Sequence, residues 1–302
     1  MLAASRGTVE RRSSGVDRAA PAATVYDPSM ALTVALISDT FFSDDGEARL
    51  RARLRDARAA GADLAVLPEI PLNPWSPATT VVREEDAEEP GGARHRVMAA
   101  SARDAGIALV GGAIVRDPSG RRHNTALVFD ASGALVASYA KVHLPDEPGF
   151  HEPCHYEPGH SVGEPIRALA MPIAVQICSD INRPAASHAL AAMGAVAIVH
   201  PRATEAATYE KWKLVLRSTA LTTCAYVVSV NRPAPEQGVP LGGASLVVDP
   251  RGEVLVETTD AVAVARVDEA VLASARKGYP GYLWTPSALY ADAWAAASAA
   301  RV

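Results

Sequence analysis

The sequence predicts a mixed α/β fold. Short apolar runs rich in Val, Ile and Ala alternate with charged amphipathic segments in both halves of the chain, and paired runs separated by Asp- and Gly-containing turns lie between them. The alternation is typical of parallel strands joined by helices, and the paired runs are typical of antiparallel hairpins. We therefore expect a mixed sheet system covered by helices.

The amino-terminal half supplies the first set of elements. Its expected strands lie at residues 32–38, 64–67, 107–115, 125–130 and 135–139, and its helices at residues 47–60 and 93–105. Gly61 ends the first helix, and hairpin turns are expected at residues 117–120 and 131–133. From Lys141 to about Gly163 the sequence is rich in Pro, Gly and His, which predicts a long loop.

The carboxy-terminal half repeats the alternation. Its expected strands lie at residues 171–177, 196–200, 226–230, 243–248, 254–257 and 261–267, and its helices begin at Pro184 or lie at residues 210–223 and 268–275. The tail from about residue 277 carries aromatic residues among prolines and glycines, namely Tyr279, Tyr282, Trp284 and Tyr290. We expect this tail to pack on its own domain or on a partner subunit.

Composition limits the class of protein. The chain has 302 residues, a net charge of -5 and 49% hydrophobic residues, with no apolar run of membrane-spanning length. These values predict no membrane partner and no basic surface for nucleic acid. Three widely spaced cysteines fit a reducing compartment, so we expect the cytoplasm. Residues 1–29 are Arg-rich without an apolar core, which predicts a disordered extension ahead of one domain at residues 30–302.

Chemically capable side chains follow three of the predicted strands. Glu69, Lys141 and Cys178 each stand just beyond an apolar run, where ligands collect in α/β proteins. A carboxylate can act as general base for a thiol, and a fixed ammonium can stabilise the oxyanion formed when sulfur adds to a carbonyl or nitrile carbon. Cys178 precedes a predicted helix, and such an elbow favours thiolate and oxyanion. The alternatives are a capping carboxylate, a solvated ammonium and a core cysteine.

Three motifs follow one another along the chain: L-P-E at residues 67–69, Y-A-K-V-H-L-P at 139–145 and I-C-S-D-I-N-R-P at 177–184. Together they resemble the signatures of the nitrilase, or carbon-nitrogen hydrolase, superfamily. The resemblance spans about residues 31–290. It implies a four-layer α-β-β-α sandwich with internal pseudo-symmetry, assembled into homodimers or larger homo-oligomers, and it implies an enzyme of the amidase or N-carbamoyl amidohydrolase branch.

The resemblance also implies roles for individual residues. Cys178 would attack, Glu69 would act as base and then acid, and Lys141 with the N–H of Ser179 would hold the oxyanion. The segment at residues 151–159 resembles the family's E-x-x-x-(aromatic)-x-P-G pattern and places a second glutamate at Glu152, with Glu147 and Glu157 as competing assignments. Ammonia would leave, and water would cleave the thioester. No metal and no cofactor is implied.

The substrate class is less defined. Nitrilases proper usually follow their cysteine with Trp-Glu, whereas Ser179-Asp180 here favours amides or N-carbamoyl compounds. The loop at residues 143–159 resembles that of N-carbamoylputrescine amidases, and Asp146, Glu147 and Asp180 could attract an amine. A carboxylated substrate would use Arg183 or Arg202. The helix before residue 224 departs from the family pattern, because residues 218–223 lack its Glu and Asn.

Other interpretations remain open from sequence. His143, His151, His155 and His160 with Cys154 could form a metal cluster, although Pro153 argues against a helix that would pair His151 with His155. A Cys178–His188 dyad would leave Lys141 and Glu69 unexplained. The same catalytic residues could hydrolyse a nitrile or transfer the acyl group to an amine, and a catalytically silent member could serve as a binding or scaffold protein.

Overall fold

The computed structural model describes residues 31–299. Their strands are β1 Ala31–Leu36, β2 Leu64–Val66, β3 Ala87–Glu88, β4 Ala108–Arg116, β5 Arg122–Phe129, β6 Leu135–Ala140, β7 Asp146–Glu147, β8 Phe150–His151, β9 Ile173–Val175, β10 Ala197–Arg202, β11 Tyr226–Asn231, β12 Ser245–Val248, β13 Val254–Thr258 and β14 Ala263–Asp268. Their α-helices are α1 Gly46–Ala59, α2 Ala93–Ala105, α3 Glu152–His155, α4 Pro184–Ala192, α5 Tyr209–Thr223, α6 Glu269–Lys277 and α7 Ser287–Ala299. The expected extension at residues 1–29 lies outside the described residues.

Two mixed sheets repeat one topology. The first has the order β14-β1-β2-β4-β5-β6, with β3 also beside β4, and the second has the order β13-β12-β11-β10-β9. In the first sheet, the parallel strands β1, β2 and β4 are joined by helices and are followed by the antiparallel strands β5 and β6. In the second sheet, the parallel strands β9, β10 and β11 are joined by helices and are followed by the antiparallel strands β12 and β13. The internal pseudo-symmetry implied by the sequence motifs is therefore present in the strand order.

Three apolar clusters separate four layers. One cluster joins the facing sides of the two sheets, for example Val34 and Val128 with Val199 and Val228. A second packs α1 and α2 on the outer side of the first sheet, and a third packs α5 on the outer side of the second sheet. Because neighbouring residues of a strand point to opposite faces, each central strand contributes to two clusters. The predicted mixed α/β, four-layer α-β-β-α sandwich is confirmed.

The observed elements differ from the predicted ones in two segments around the site. The strand expected at residues 171–177 is only Ile173–Val175, because the chain leaves the sheet to form a short 3-10 helix at Cys178–Asn182. The loop expected after Lys141 contains the β7–β8 pair and the one-turn helix α3. The argument that Pro153 excludes a helix was wrong, because Pro153 stands in the first turn of α3, where proline loses no helical hydrogen bond.

The carboxy-terminal tail does not pack on its own domain. None of the residues of α7 is buried, and Trp284 and Trp294 are 75% and 61% exposed. The alternative in the prediction, packing on a partner subunit, is left open. Among the helices between residues 31 and 299, none has the length and apolar character needed to cross a bilayer.

Candidate active site

The side chain of Lys141 is the centre of a buried cluster of charges. Lys141 follows β6, where its backbone N–H donates to the carbonyl of Asn124 at 2.9 Å. Its Nζ lies 2.8 Å from Glu69 Oε1 and 2.6 Å from Glu152 Oε1, and all three side chains are fully buried. An ammonium has three N–H donors, so two bind the carboxylates and the third is left for another acceptor.

Glu69 is fixed from two directions. It follows β2, and its Oε1 also accepts a hydrogen bond of 2.7 Å from Asn124 Nδ2. Arg232, at the end of β11 in the other sheet, donates through Nη1 to the carbonyl oxygens of Glu69 and Ile70 at 2.8 and 3.0 Å. The guanidinium pairs with Glu236 at 2.6 Å. The two sheets therefore hold the Glu69 segment jointly.

Among the three glutamates considered for the second carboxylate, only Glu152 points inward. It opens α3 and is fully buried beside Lys141, whereas Glu147 lies in the exposed strand β7 and Glu157 is also exposed. The geometry therefore favours Glu152. The signal that separated the three in the sequence was the spacing of the E-x-x-x-Y-x-P-G segment.

Cys178 lies at the turn that leaves β9. Its φ of 45° is in the left-handed region, an uncommon conformation for a residue with a side chain. The residue is 4% exposed, and its Sγ lies 3.6 Å from the carbonyl oxygen of Ala203. Burial raises the pKa of the thiol strongly, and Glu69 adds to the rise while Lys141 opposes it. At this elbow, burial outweighs the effects that were expected to favour a thiolate, so the direction of the pKa shift favours the protonated thiol.

Burial and mutual contact set the charges of the cluster. Burial alone lowers the pKa of Lys141, but the carboxylates of Glu152 and Glu69 more than reverse this and raise that pKa well above its ordinary value. Burial raises the pKa of Glu152 to about 8; Lys141 opposes this shift, and Glu69 adds to it. Near neutral pH the Glu152 carboxyl therefore keeps an extra proton beside the Lys141 ammonium.

This extra proton predicts a pH-dependent stability. The pKa of Glu152 is about 8 in the folded protein against 4.5 for the unperturbed group, so its contribution to stability is full below about pH 4.5 and is lost as the pH rises through about 8. Because glutamine resembles the protonated carboxyl, we expect wild type and Glu152→Gln to have similar unfolding free energies near pH 5, and wild type to become the less stable of the two as the pH rises to about 8. Urea unfolding of both proteins measures it, and a wild type that gains stability relative to the variant over this range would contradict the assignment.

Three buried polar atoms of the cluster have no hydrogen-bond partner within the described part of the chain. They are Glu69 Oε2, Glu152 Oε2 and the hydroxyl of Tyr156. Burial raises the pKa of Tyr156 well above its ordinary value; Glu152 and Glu69 add to this rise, and Lys141 opposes it. Buried polar atoms are normally paired, so atoms of this kind mark a place for a ligand with both N–H donors and an acceptor.

Asp180, predicted to bind substrate, is used inside the protein. Its Oδ1 accepts the backbone N–H groups of Val142 and His143 at 3.2 and 2.9 Å, and its Oδ2 accepts from the Tyr139 hydroxyl at 2.8 Å and from the Ile177 N–H at 3.2 Å. The carboxylate is 1% exposed. Asp180 therefore ties the chain after Lys141 to the turn at Cys178, and the prediction that it contacts substrate was wrong.

The other predicted substrate-binding residues are also apart from the cluster. Arg202 is fully buried on the face of β10 opposite to Pro201, and Pro201 lines the small cavity that contains Glu69. Arg183 is exposed, and Asp146 is 65% exposed beside His151. Ser179 donates its hydroxyl to the carbonyl of His143. Of these predicted residues, only Ser179 is next to Cys178, and it contributes its backbone N–H. The side chains of Arg202, Arg183 and Asp146 do not contact the Lys141 cluster.

The rival sites are not formed. No group of three or more His, Cys, Asp and Glu side chains within residues 31–299 could hold a metal ion. His155 bonds the carbonyl of Thr79, and His143 bonds Asp180. His188 donates to the carbonyl of Pro184 at 2.8 Å within its own helix, so its ring is not oriented by Cys178.

Comparison with known proteins decides the family. The family model described as carbon-nitrogen hydrolase matches residues 24–277. This chain belongs to the carbon-nitrogen hydrolase family. The resemblance found in its three motifs is thereby confirmed, and so is the expectation of an enzyme that acts on carbon–nitrogen bonds.

Individual relatives agree with this membership. This carbon-nitrogen hydrolase is 30% identical over 245 residues to omega-amidase NIT2 of Danio rerio, which covers 78% of this chain and 87% of the relative. Its fold is similar to a carbon-nitrogen hydrolase from Helicobacter pylori G27, with a TM-score of 0.78, 20% identity, and 88% and 99% of the two chains covered. Nit3 of Saccharomyces cerevisiae, a nitrilase-superfamily member, has a TM-score of 0.70, 27% identity, and coverage of 83% and 95%.

The sequence missed two residues of this carbon-nitrogen hydrolase site. Tyr156 was noted only as the aromatic position of a motif, although its hydroxyl is unpaired beside the charges. His200 contacts the backbone of Cys178 at 2.8 Å, and its only sequence signal is a histidine at the end of an otherwise apolar strand.

Proposed function

We propose that this enzyme hydrolyses a small amide through a thioester on Cys178. The observation that supports this most is the buried Lys141 ammonium, 2.8 Å from Glu69 and 2.6 Å from Glu152, in the same closed site as a neutral thiol. A thiol with a raised pKa needs a base, and a fixed ammonium is placed to stabilise an anion.

The first half-reaction forms the thioester. Glu69 takes the thiol proton as sulfur bonds to the carbonyl carbon, and the carbonyl oxygen becomes an oxyanion held by the third Lys141 N–H and the Ser179 backbone N–H. The unpaired Oε2 of Glu69 accepts an N–H of the amide and so orients its nitrogen. The carbon–nitrogen bond then breaks, Glu69 gives its proton to the nitrogen, and ammonia leaves.

The second half-reaction releases the acid. Glu69 takes a proton from water, and the hydroxide oxygen adds to the thioester carbon. The carbon–sulfur bond breaks, sulfur regains the proton, and the carboxylic acid leaves. Capture of the same thioester by an amine would give acyl transfer instead.

The apolar surroundings favour a short uncharged acyl chain. Ile70, Trp75, Phe150, Tyr156 and Leu241 belong to one buried cluster that also includes Ala203, whose carbonyl contacts Cys178. The guanidinium of Arg232 lies 5.7 Å from the Trp75 ring centroid, but it is already bonded to Glu236 and to backbone carbonyl oxygens, so it is not left to bind a substrate carboxylate. Among relatives, the omega-amidase NIT2 name and a mutant Nesterenkonia sp. AN1 amidase in complex with butyramide both point to amides.

The test is ammonia release from butyramide, N-carbamoylputrescine, an N-carbamoyl amino acid and a nitrile. We expect butyramide to be preferred, activity to vanish in Cys178→Ala, and activity to remain in Cys154→Ala, which removes an exposed cysteine. Preference for an N-carbamoyl compound would support the alternative that the loop at residues 143–159 suggests. Silence on all four compounds, with a folded protein, would overturn the proposal in favour of a binding or scaffold role.

The unpaired hydroxyl of Tyr156 predicts opposite effects on binding and stability. Tyr156→Phe removes a buried hydroxyl without a protein partner, so we expect the unfolding free energy to stay equal or rise by about 1 kcal/mol. If the hydroxyl bonds the substrate amide, KM for butyramide should rise about 5-fold. Steady-state kinetics with urea unfolding measures both, and an unchanged KM would remove Tyr156 from the substrate site.

Self-association follows from the exposed tail. The 13 residues of α7 include none that is buried, and isolated helices of this length are marginal in water. We therefore expect the tail to be covered by a second copy of the chain, giving a homodimer or larger assembly. Light scattering measures the mass. A monomer for the wild type, or no dissociation in Trp284→Ser with Trp294→Ser, would contradict this.

A further inference from the structure

An oriented hydrogen-bond chain lies behind Cys178, on the helix side of the second sheet. His200 Nε2 lies 2.8 Å from the carbonyl oxygen of Cys178, and His200 Nδ1 lies 2.9 Å from Ser229 Oγ. Ser229 Oγ is in turn 2.9 Å from Arg202 Nε. His200, Ser229 and Arg202 are all fully buried.

The chemistry of the end groups fixes the direction of every bond. A carbonyl oxygen only accepts, so His200 carries its proton on Nε2. Burial lowers the pKa of His200 to about 3, so the ring has one proton and Nδ1 accepts from the Ser229 hydroxyl. The Ser229 oxygen then accepts from Arg202. All donors point from the guanidinium toward Cys178, an arrangement in which each bond strengthens the next.

Arg202 is a buried cation without a carboxylate. Its other donors go to the Thr204 hydroxyl and the Ala244 carbonyl, its guanidinium carbon lies 6.0 Å from the centroid of the Tyr209 ring, and none of these contacts within the described residues is a carboxylate. Burial lowers the pKa of Arg202 to about 10. A buried charge without a counterion is costly, and hydrogen bonds to neutral acceptors offset only part of that cost. The positive charge of Arg202 polarises the hydrogen bonds through Ser229 and His200 to the Cys178 carbonyl.

The Cys178 carbonyl shares one peptide unit with the Ser179 N–H. In a trans peptide the C=O and N–H point in opposite directions, so a carbonyl held by His200 on the helix side turns the N–H away from the helices. The face opposite to His200 on β10 is that of Pro201, which lines the cavity with Glu69. The bond to His200 also polarises the peptide and makes the Ser179 N–H a stronger donor.

We propose that Arg202, Ser229 and His200 are positioning residues that fix the Cys178–Ser179 peptide and aim the Ser179 N–H at the oxyanion. This rests on the proposed amide hydrolysis. The left-handed conformation at Cys178 makes such support necessary, because a peptide next to a strained residue can rotate unless its carbonyl is held.

The test compares His200→Phe with His200→Gln. Phenylalanine cannot donate to the Cys178 carbonyl, and loss of one oxyanion donor typically lowers kcat about 100-fold. We expect that loss for butyramide with KM changed less than about 3-fold, since the oxyanion exists only in the transition state. Glutamine can donate in place of Nε2 and should restore most of kcat. Ser229→Ala should lose about 10-fold, the order expected for one neutral hydrogen bond.

A second measurement separates this role from a general loss of structure. Methyl methanethiosulfonate reacts with the Cys178 thiol through the same deprotonation but forms no oxyanion, so its rate in a Cys154→Ala background should be unchanged in His200→Phe. Ser187→Ala is the matched control, because it removes another buried hydroxyl bond, 2.6 Å to Gln176, without touching the Cys178 carbonyl. It should keep wild-type kcat.

The possible outcomes are distinct. If His200→Phe loses kcat and thiol reactivity together, or loses neither, the positioning role is overturned while amide hydrolysis stands. If the wild type reacts with the thiol reagent but releases no ammonia from any amide, the proposed function fails, and the inference fails with it. Selective ¹⁵N labelling of histidine should show His200 protonated on Nε2 and bare on Nδ1; the opposite tautomer would also overturn the chain.

Discussion

Replacement of Lys141 by methionine is expected to abolish ammonia release and to destabilise the protein. Methionine matches the length of the buried stem but leaves the two inward-facing oxygens of Glu69 and Glu152 without their shared ammonium. Removing one partner of a buried ion pair typically costs about 3–5 kcal/mol. The loss should be at the lower end, because the pKa of Glu152 is about 8, and a carboxyl that is mostly protonated near neutral pH does not become a second unpaired charge.

The activity loss has a separate cause. Without the ammonium, the oxyanion would keep only the Ser179 N–H, and we expect kcat to fall at least about 1,000-fold. Ammonia release and urea unfolding measure the two effects. Lys211→Met is the matched control, because Lys211 is exposed and its change should alter neither quantity. A Lys141→Met protein that retains more than about a tenth of wild-type kcat would contradict the oxyanion role.

Replacement of Glu69 by glutamine is expected to give the second large loss. Glutamine keeps an oxygen that can accept from Asn124 Nδ2 and Lys141 Nζ, so the fold should remain. It cannot take the thiol proton, and because burial raises the pKa of Cys178, few thiolates form without a base. General base catalysis typically contributes 10²- to 10⁴-fold, so kcat should fall by about three orders of magnitude.

The comparison with Glu152→Gln makes this prediction specific. Glu152 contacts the same ammonium, but near neutral pH it is mostly protonated, and glutamine resembles that state. We expect Glu152→Gln to lose about 10-fold or less, and Glu69→Gln also to slow thiol modification of Cys178. Equal losses in kcat for the two variants, or unchanged thiol reactivity in Glu69→Gln, would refute the assignment of Glu69 as the base.

The strand and helix pattern was readable because it depends on local periodicity. The helix predicted at residues 93–105 is α2, Ala93–Ala105, and most other elements shifted by only one or two residues. The errors lie where contacts distant in sequence outweigh local preference. The strand predicted to run to Ile177 ends at Val175, and the Ile177 N–H donates to the Asp180 carboxylate instead of to a neighbouring strand.

Glu69, Lys141, Glu152 and Cys178 could be named from sequence because strand ends and motif spacing are one-dimensional features. Their proximity could not be derived in that way, since Lys141 and Glu69 are 72 residues apart and meet only when the β-strands align. The predicted roles of Asp180 and Arg202 failed for the same reason: the sequence shows neither that backbone N–H groups occupy the Asp180 carboxylate nor which face of β10 Arg202 takes.

The sequence by itself determined the alternating elements, the four charged or nucleophilic residues and the family, because each depends on residue type and spacing. Only the tertiary structure decided that the Cys178 thiol is buried, that one ammonium contacts two carboxylates, and that His200 lies behind Cys178. Those properties depend on desolvation and on distances of about 3 Å between residues from different strands, and both arise only when the sheets pack.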